Sequence, residues 1–231
     1  MAQPAQYYQR LSRHFGPQRW WPARSRWEVM AGAVLTQNTA WRNVELAIAE
    51  LRRRGLLRRT AMLAASPAEL GAAIRSAGFW RQKARYLRAL AGWVETAAAG
   101  NLQRLFARPT AELRAELLAL PGIGPETADS ILLYAGGHPS FVVDAYAVRM
   151  LARHGEPVAA GGGAVRYQAV QSWFAGGLGG SVAKYQEMHA LIVAAGKTYC
   201  RKPAARCGGC PLEDLLPPRP AGAAPENRAG A

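Results

Sequence analysis

The sequence predicts an all-α fold. Apolar residues recur at helical spacing through most of the chain, caps and glycine stops punctuate those runs, and no window sustains the period-two alternation of a half-buried strand. With 231 residues, 50% of them hydrophobic, the chain can bury one large core or two small ones and is far from a disordered composition.

The elements follow in order. Val44, Ala47, Ile48 and Leu51 stand at i, i+3, i+4 and i+7, and the run closes on Arg52, Arg53, Arg54 and Gly55, cations and a glycine where a helix C-terminus favours them. Ser66, Pro67 and Glu69 form a capping box with proline at the first helical position, opening a helix expected to stop at Gly78. Leu87, Leu90, Ala91 and Val94 mark the next helix, Leu113, Leu117 and Leu120 another, and Ala128, Ile131, Leu132 and Ala135 one more after a glycine-rich break. Segments 144–154, 164–175 and 182–198 read as helices, with a loop around Gly161, Gly162 and Gly163. From Pro217 to residue 231 the composition reads as a flexible tail with too little apolar surface to order it.

Charge narrows the partners. Lys plus Arg outnumber Asp plus Glu by 29 to 15, a net charge of +14 that attracts polyanions, either nucleic acid or an anionic membrane. No stretch approaches ~18 uninterrupted apolar residues, and the start MAQPAQYYQRLSRHF has no apolar signal core. A cytoplasmic, nucleoid-associated protein without a membrane partner is therefore expected. The three cysteines, Cys200, Cys207 and Cys210, form C-x6-C-x2-C. An odd, clustered set argues for a metal site over disulfides. Thiolate-only sites suit zinc or iron-sulfur clusters, which normally take four protein ligands, and this box supplies three.

Residues 117–146, LLALPGIGPETADSILLYAGGHPSFVVDAY, say most about function. Two apolar helices flank Pro121, Gly122, Ile123 and Gly124, whose glycines allow a tight turn and close approach of another molecule. Pro125 then opens a helix whose first amides suit a phosphate, although a plain αα-hairpin has the same spacing.

Taken together, the LPGIGPETA hairpin, Val142-Val143-Asp144, the Leu35-to-Thr39 box LTQNT, the Gly78-to-Ala84 stretch GFWRQKA and the cysteine box resemble the helix-hairpin-helix DNA glycosylases of the endonuclease III superfamily. Trp20-Trp21-Pro22 makes the chain most similar to the endonuclease III-type 3-methyladenine DNA glycosylases. The resemblance spans about residues 15–216, in order. It implies a six-helix domain over 29–143 containing the hairpin (117–136), a second domain from 1–28 and 144–216 carrying the cysteine box, and a DNA cleft between them.

By that resemblance Asp144 is the catalytic carboxylate, stabilising an oxocarbenium-like sugar as an extruded base departs; an N-cap role for the same residue is compatible. Trp20, Trp21 and Trp41 with Glu126 line the base pocket, where indole faces suit a cationic alkylated purine. Trp27, Trp93 and Trp173 are expected in packing, and Lys197 on a solvated helix face. Gln37 and Phe79 are wedges in the base stack; Gly122, Gly124, Lys83 and Arg81 hold phosphates. Bifunctional relatives carry a Schiff-base lysine where this chain has Glu126, which cannot form an imine. A monofunctional, monomeric glycosylase acting on damaged duplex DNA and leaving an abasic site for an AP endonuclease is expected. An endonuclease III-like enzyme for oxidised pyrimidines or mismatches, and a non-catalytic DNA-binding module, remain alternatives. The family's 4Fe-4S cluster is expected on Cys200, Cys207 and Cys210, but the fourth cysteine position holds Leu216. A substitute ligand such as Asp214 or Glu213, a three-iron or labile cluster, and a box without metal all stay open. No organic cofactor is implied.

Overall fold

The computed structural model describes residues 2–18 and 20–218. Among them, helices and turns account for the regular structure and no strand occurs. The α-helices are α1 (Pro4–Phe15), α2 (Arg26–Leu35), α3 (Trp41–Arg53), α4 (Arg59–Ala64), α5 (Pro67–Ala73), α6 (Trp80–Ala98), α7 (Leu102–Leu105), α8 (Thr110–Ala119), α9 (Pro125–Ser130), α10 (Ala145–Arg153), α11 (Gly163–Leu178) and α12 (Val182–Thr198). They form two compact units, one spanning Trp21–Ser140, the other drawn from the chain up to Trp20 and from Phe141 onward. None of the described helices is long and apolar enough to cross a membrane. The expected tail lies, from residue 219 on, outside the described residues.

In the Trp21–Ser140 unit, α2 is the central element. Ser25 caps it by accepting from the Glu28 amide at 3.2 Å, and every residue from Trp27 to Leu35 is buried, so α2 has no solvent stripe. Around it, α3 turns Val44, Ala47, Ile48 and Leu51 inward, and α6 turns in Lys83, Ala84, Leu87, Leu90, Ala91 and Val94. Each large aliphatic side chain so buried contributes roughly 1.5–3 kcal/mol.

Two elements depart from the sequence expectation. The helix opened by Ser66 ends at Ala73, and the chain tightens into a 3-10 turn, Arg75–Ala77, before Gly78 at φ 67. Its apolar pattern continues because Ile74 and Ala77 still face the core. Beyond α9 the backbone widens into a π-helix, Ile131–Gly136, packed against α2. Such insertions are frequent at functional sites.

In the other unit, α12 packs against α1 and α10. Phe141 stacks on Phe174 at 4.4 Å and meets Tyr185 edge-on at 5.5 Å. Gly177 and Gly196 bring backbones close, since a methyl group there would collide with Pro4 and the Tyr146 ring respectively. Tyr7 donates to Glu156 at 3.1 Å, and burial together with that carboxylate pushes the phenol well above its ordinary range.

Candidate functional site

The hairpin closes the gap between α8 and α9. Gly122 is required twice over: its φ is 75, and a methyl group on its α-carbon would run into the Tyr86 ring. Gly124 differs from the expectation, because its backbone is extended (φ −90, ψ 178) and any residue could adopt it. What its lack of a side chain provides is open space at the N-cap of α9, with nothing within 4 Å of a Cβ built there. Pro125 starts the helix and Glu126 stands exposed in its first turn. First-turn amides have no intrahelical acceptor, which suits an anion. Gln37 reaches across from the loop after α2, its Nε2 donating to Gly122 O at 2.8 Å and Thr127 Oγ1 at 3.0 Å. The expected wedge is therefore hydrogen-bonded to the hairpin in this structure.

Phe79, the second expected wedge, is 66% exposed and sits in the left-handed region at φ 44. Arg81 is exposed with its guanidinium stacked 4.2 Å over the Trp80 ring. Lys83 overturns the expectation of a phosphate contact. Its side chain is buried, its Nζ donates to Leu35 O at 2.8 Å and Ala77 O at 2.7 Å, and burial pushes the ammonium down to about 8. The sequence carried a signal for this: Lys83 stands four positions before Leu87, on the same helical face as Leu90 and Val94.

Trp21 and Trp41 come together in the same unit, ring centroids 5.4 Å apart and perpendicular, with Tyr134 of the π-helix 5.0 Å from Trp21. They border an open pocket of about 370 Å3 that Glu28, Glu45, Arg24 and Arg52 also line. Trp41 Nε1 donates to Glu45 Oε1 at 3.0 Å; Glu28 accepts both of its bonds from Arg52 at 3.0 Å. Trp20 belongs to the other unit, where the exposed Lys197 places its Nζ 5.5 Å from the indole. Trp27, Trp93 and Trp173 are packing residues, the first two donating to Leu57 O and Glu116 Oε2 and the third set edge-on to Tyr7 and Phe174.

Asp144 lies in the unit built on Phe141 onward. Phe141, Val142 and Val143 before it are buried; Gln171 Nε2 holds Phe141 O at 2.8 Å, and the Val143 amide donates to Tyr167 at 3.4 Å. The segment delivers Asp144 as the N-cap of α10, its Oδ1 accepting from the Ala147 amide at 2.7 Å. Oδ2 lies 3.6 Å from His189 Nε2, beyond hydrogen-bond length, and both residues are buried. The carboxylate is thus anchored through one oxygen, while the other faces the His189 imidazole. His189 was missed by sequence reasoning. Its place four residues after the buried Tyr185 was the available signal.

Cys200, Cys207 and Cys210 border one cavity together with Glu213 and Leu216. Cys200 Sγ accepts from Arg153 Nη1 at 3.2 Å, and burial pushes the Cys210 thiol up. Leu216 thus occupies the wall where a fourth ligand would stand. Asp214 points away, paired with Arg10 at 2.9 Å, whereas Glu213 remains on the cavity and accepts from the Gly209 amide at 3.1 Å. Among the described residues no group of three or more His, Cys, Asp or Glu is placed to hold a metal ion. A donor set of three sulfurs beside a leucine does not fit a four-thiolate cluster.

Residues 31–164 match the HhH-GPD superfamily base excision DNA repair protein family. The Methanocaldococcus jannaschii protein MJ1434, described as a candidate DNA repair glycosylase, is 42% identical over 90% of this chain and 93% of its own length. The endonuclease III-like protein 1 of Bos taurus is 29% identical over 85% of this chain, which spans 60% of that relative. Among solved structures, the H. pylori 3-methyladenine DNA glycosylase MagIII bound to 1,N6-ethenoadenine superposes with a TM-score of 0.73 at 26% identity, covering 83% of this chain and 96% of MagIII.

Proposed function

The chain belongs to the HhH-GPD superfamily of base excision DNA repair proteins and is a DNA repair glycosylase of that superfamily; from this premise we propose that it is monofunctional and releases alkylated purines such as 3-methyladenine from duplex DNA. The observation that carries the reading is the perpendicular pair Trp21 and Trp41, its indole N–H held by the Glu45 carboxylate. Electron-rich rings beside a carboxylate favour a base made cationic by methylation, worth ~2 kcal/mol per desolvated cation–π contact. MagIII, similar over most of this chain, carries a 3-methyladenine glycosylase name, which supports the same substrate class.

In this reading the hairpin at Gly122 and Gly124 takes a phosphate, Gln37 and Phe79 enter the base stack, and the extruded purine is received by the indoles. Asp144 Oδ2 stabilises the positive charge that develops on the sugar as the glycosidic bond breaks, and water completes the hydrolysis. A cationic purine departs readily, so no strong general acid is needed. Glu126 stands exposed where an imine-forming lysine would act, and a carboxylate leaves no route to β-elimination through a Schiff base.

Release assays on duplexes carrying single 3-methyladenine, 7-methylguanine, thymine glycol or uracil residues, each with a borohydride-trapping arm, test the proposal. Release of the methylated purines without a trapped adduct is the expected result. Preferential release of thymine glycol, or a covalent protein–DNA adduct, overturns it.

A further inference from the structure

A buried lysine needs a reason, because withdrawing an ammonium from water is costly unless its donors are met. The two acceptors of Lys83 are chosen in an informative way. Leu35 is the last residue of α2 and Ala77 the last of the 3-10 turn, so the ammonium sits against two helix C-termini, whose dipoles favour a cation. One residue past each of those carbonyls the chain leaves the core. After Leu35 comes the loop carrying Gln37, and after Ala77 comes Gly78 and then Phe79.

Both loops hold a non-glycine residue in the left-handed region, Asn38 at φ 52 and Phe79 at φ 44. An aromatic residue in that conformation is strained, yet here it presents a ring 66% exposed to solvent. Strain that places an apolar ring outward, beside a buried charge that fixes the base of the same loop, implies a surface whose position matters. Gln37 is in turn bonded to Gly122 and Thr127 of the hairpin. Three outward segments, the Gln37 loop, the Phe79 loop and the hairpin, are thus cross-linked within one unit.

We propose that Lys83 is a positioning residue that locks the Gln37 and Phe79 loops at a fixed spacing, so that the two side chains enter the DNA base stack as a single unit. The inference rests on the glycosylase reading. Lys83 itself touches no DNA; it acts through Phe79 and Gln37.

The test uses the full chain and a duplex with 2-aminopurine beside a tetrahydrofuran site, which reports unstacking without requiring base excision. Lys83→Met should lower the fluorescence rise at saturating protein by about tenfold, and Lys83→Met combined with Phe79→Ala should be no worse than Phe79→Ala alone, because residues acting through one contact are non-additive. Anisotropy on undamaged duplex should not change, since the hairpin and the basic surface are intact. If Lys83→Met does not fold, Lys83→Gln, whose amide reaches one carbonyl at best, carries the same comparison with a loss of about threefold. An unchanged fluorescence rise in a folded Lys83 variant, or effects that multiply in the double variant, overturns the proposal. A wild-type protein that binds the duplex without unstacking it overturns the glycosylase reading instead.

Discussion

Asp129 and Asp144 are both buried aspartates, one in each unit, and they are held in opposite ways. Asp129 is fully buried and its carboxylate is enclosed: Oδ1 accepts from Arg114 Nε at 2.8 Å and Ser140 Oγ at 2.6 Å, and Oδ2 from Arg114 Nη2 at 3.1 Å. That bidentate pair ties α8 to α9 across the hairpin. Asp144 has one oxygen on the Ala147 amide and the other 3.6 Å from His189. Burial alone does not tell the two apart. The number and direction of partners does: the Asp129 carboxylate is surrounded by donors within hydrogen-bond length, whereas that of Asp144 is so held through one oxygen only, and the proposed function rests on the latter.

Asp144→Asn probes this contrast most strongly. Asparagine caps a helix as well as aspartate does, so the variant should fold, melt like wild type and bind lesion-bearing duplex normally. Single-turnover base release should nevertheless fall by at least ~100-fold, the low end for a positioned acid or base. A variant that keeps its turnover would erase the functional difference between the two aspartates. Asp129→Asn should do the reverse. It replaces the charged acceptor of the Arg114 guanidinium by a neutral amide and should lower stability by about 2 kcal/mol, within the range for hydrogen bonds to a charged group, read as a shift in urea midpoint at constant slope. Base release per folded molecule should stay at the wild-type level; a loss comparable to that of Asp144→Asn would place Asp129 in the chemistry.

How much of this was legible follows from which side chains break the usual pattern. The stripe of α3 and the Ser66 cap were readable because one face of each helix meets water and the other does not. Helix α2 gave no periodic signal, since it is buried from Trp27 to Leu35 and an all-round apolar helix has no stripe to detect. The π-helix at Ile131–Gly136 was also invisible, because its apolar spacing imitates an ordinary helix while the backbone widens. The hairpin and Asp144 are singled out by motif order, whereas the expectation of a phosphate contact at Lys83 followed the habit of lysine and not its position on the buried stripe of α6. The cysteine spacing predicted a metal site; the structure gathers the three cysteines on one cavity, but no spacing rule distinguishes Glu213, which faces that cavity, from Asp214, which faces Arg10.

The smallest expected effect lies at His189, and it asks whether the second oxygen of Asp144 is steadied or merely left open. At 3.6 Å the imidazole does not hydrogen-bond that oxygen in this structure, yet it is buried on α12 and directed at it, so loss of the ring would let the carboxylate turn about its anchor at Ala147. A misdirected carboxylate costs rate without costing affinity, because geometry at the reacting centre matters more in the transition state than in the bound complex. His189→Leu should therefore lower single-turnover release by about tenfold while leaving the affinity for lesion-bearing duplex unchanged. His189→Gln, which can still donate toward Oδ2, should recover most of that loss. If His189→Leu instead weakens DNA binding and rate together, or if glutamine rescues nothing, His189 supports only the packing of α12 and the two aspartates differ solely in the donors that surround them.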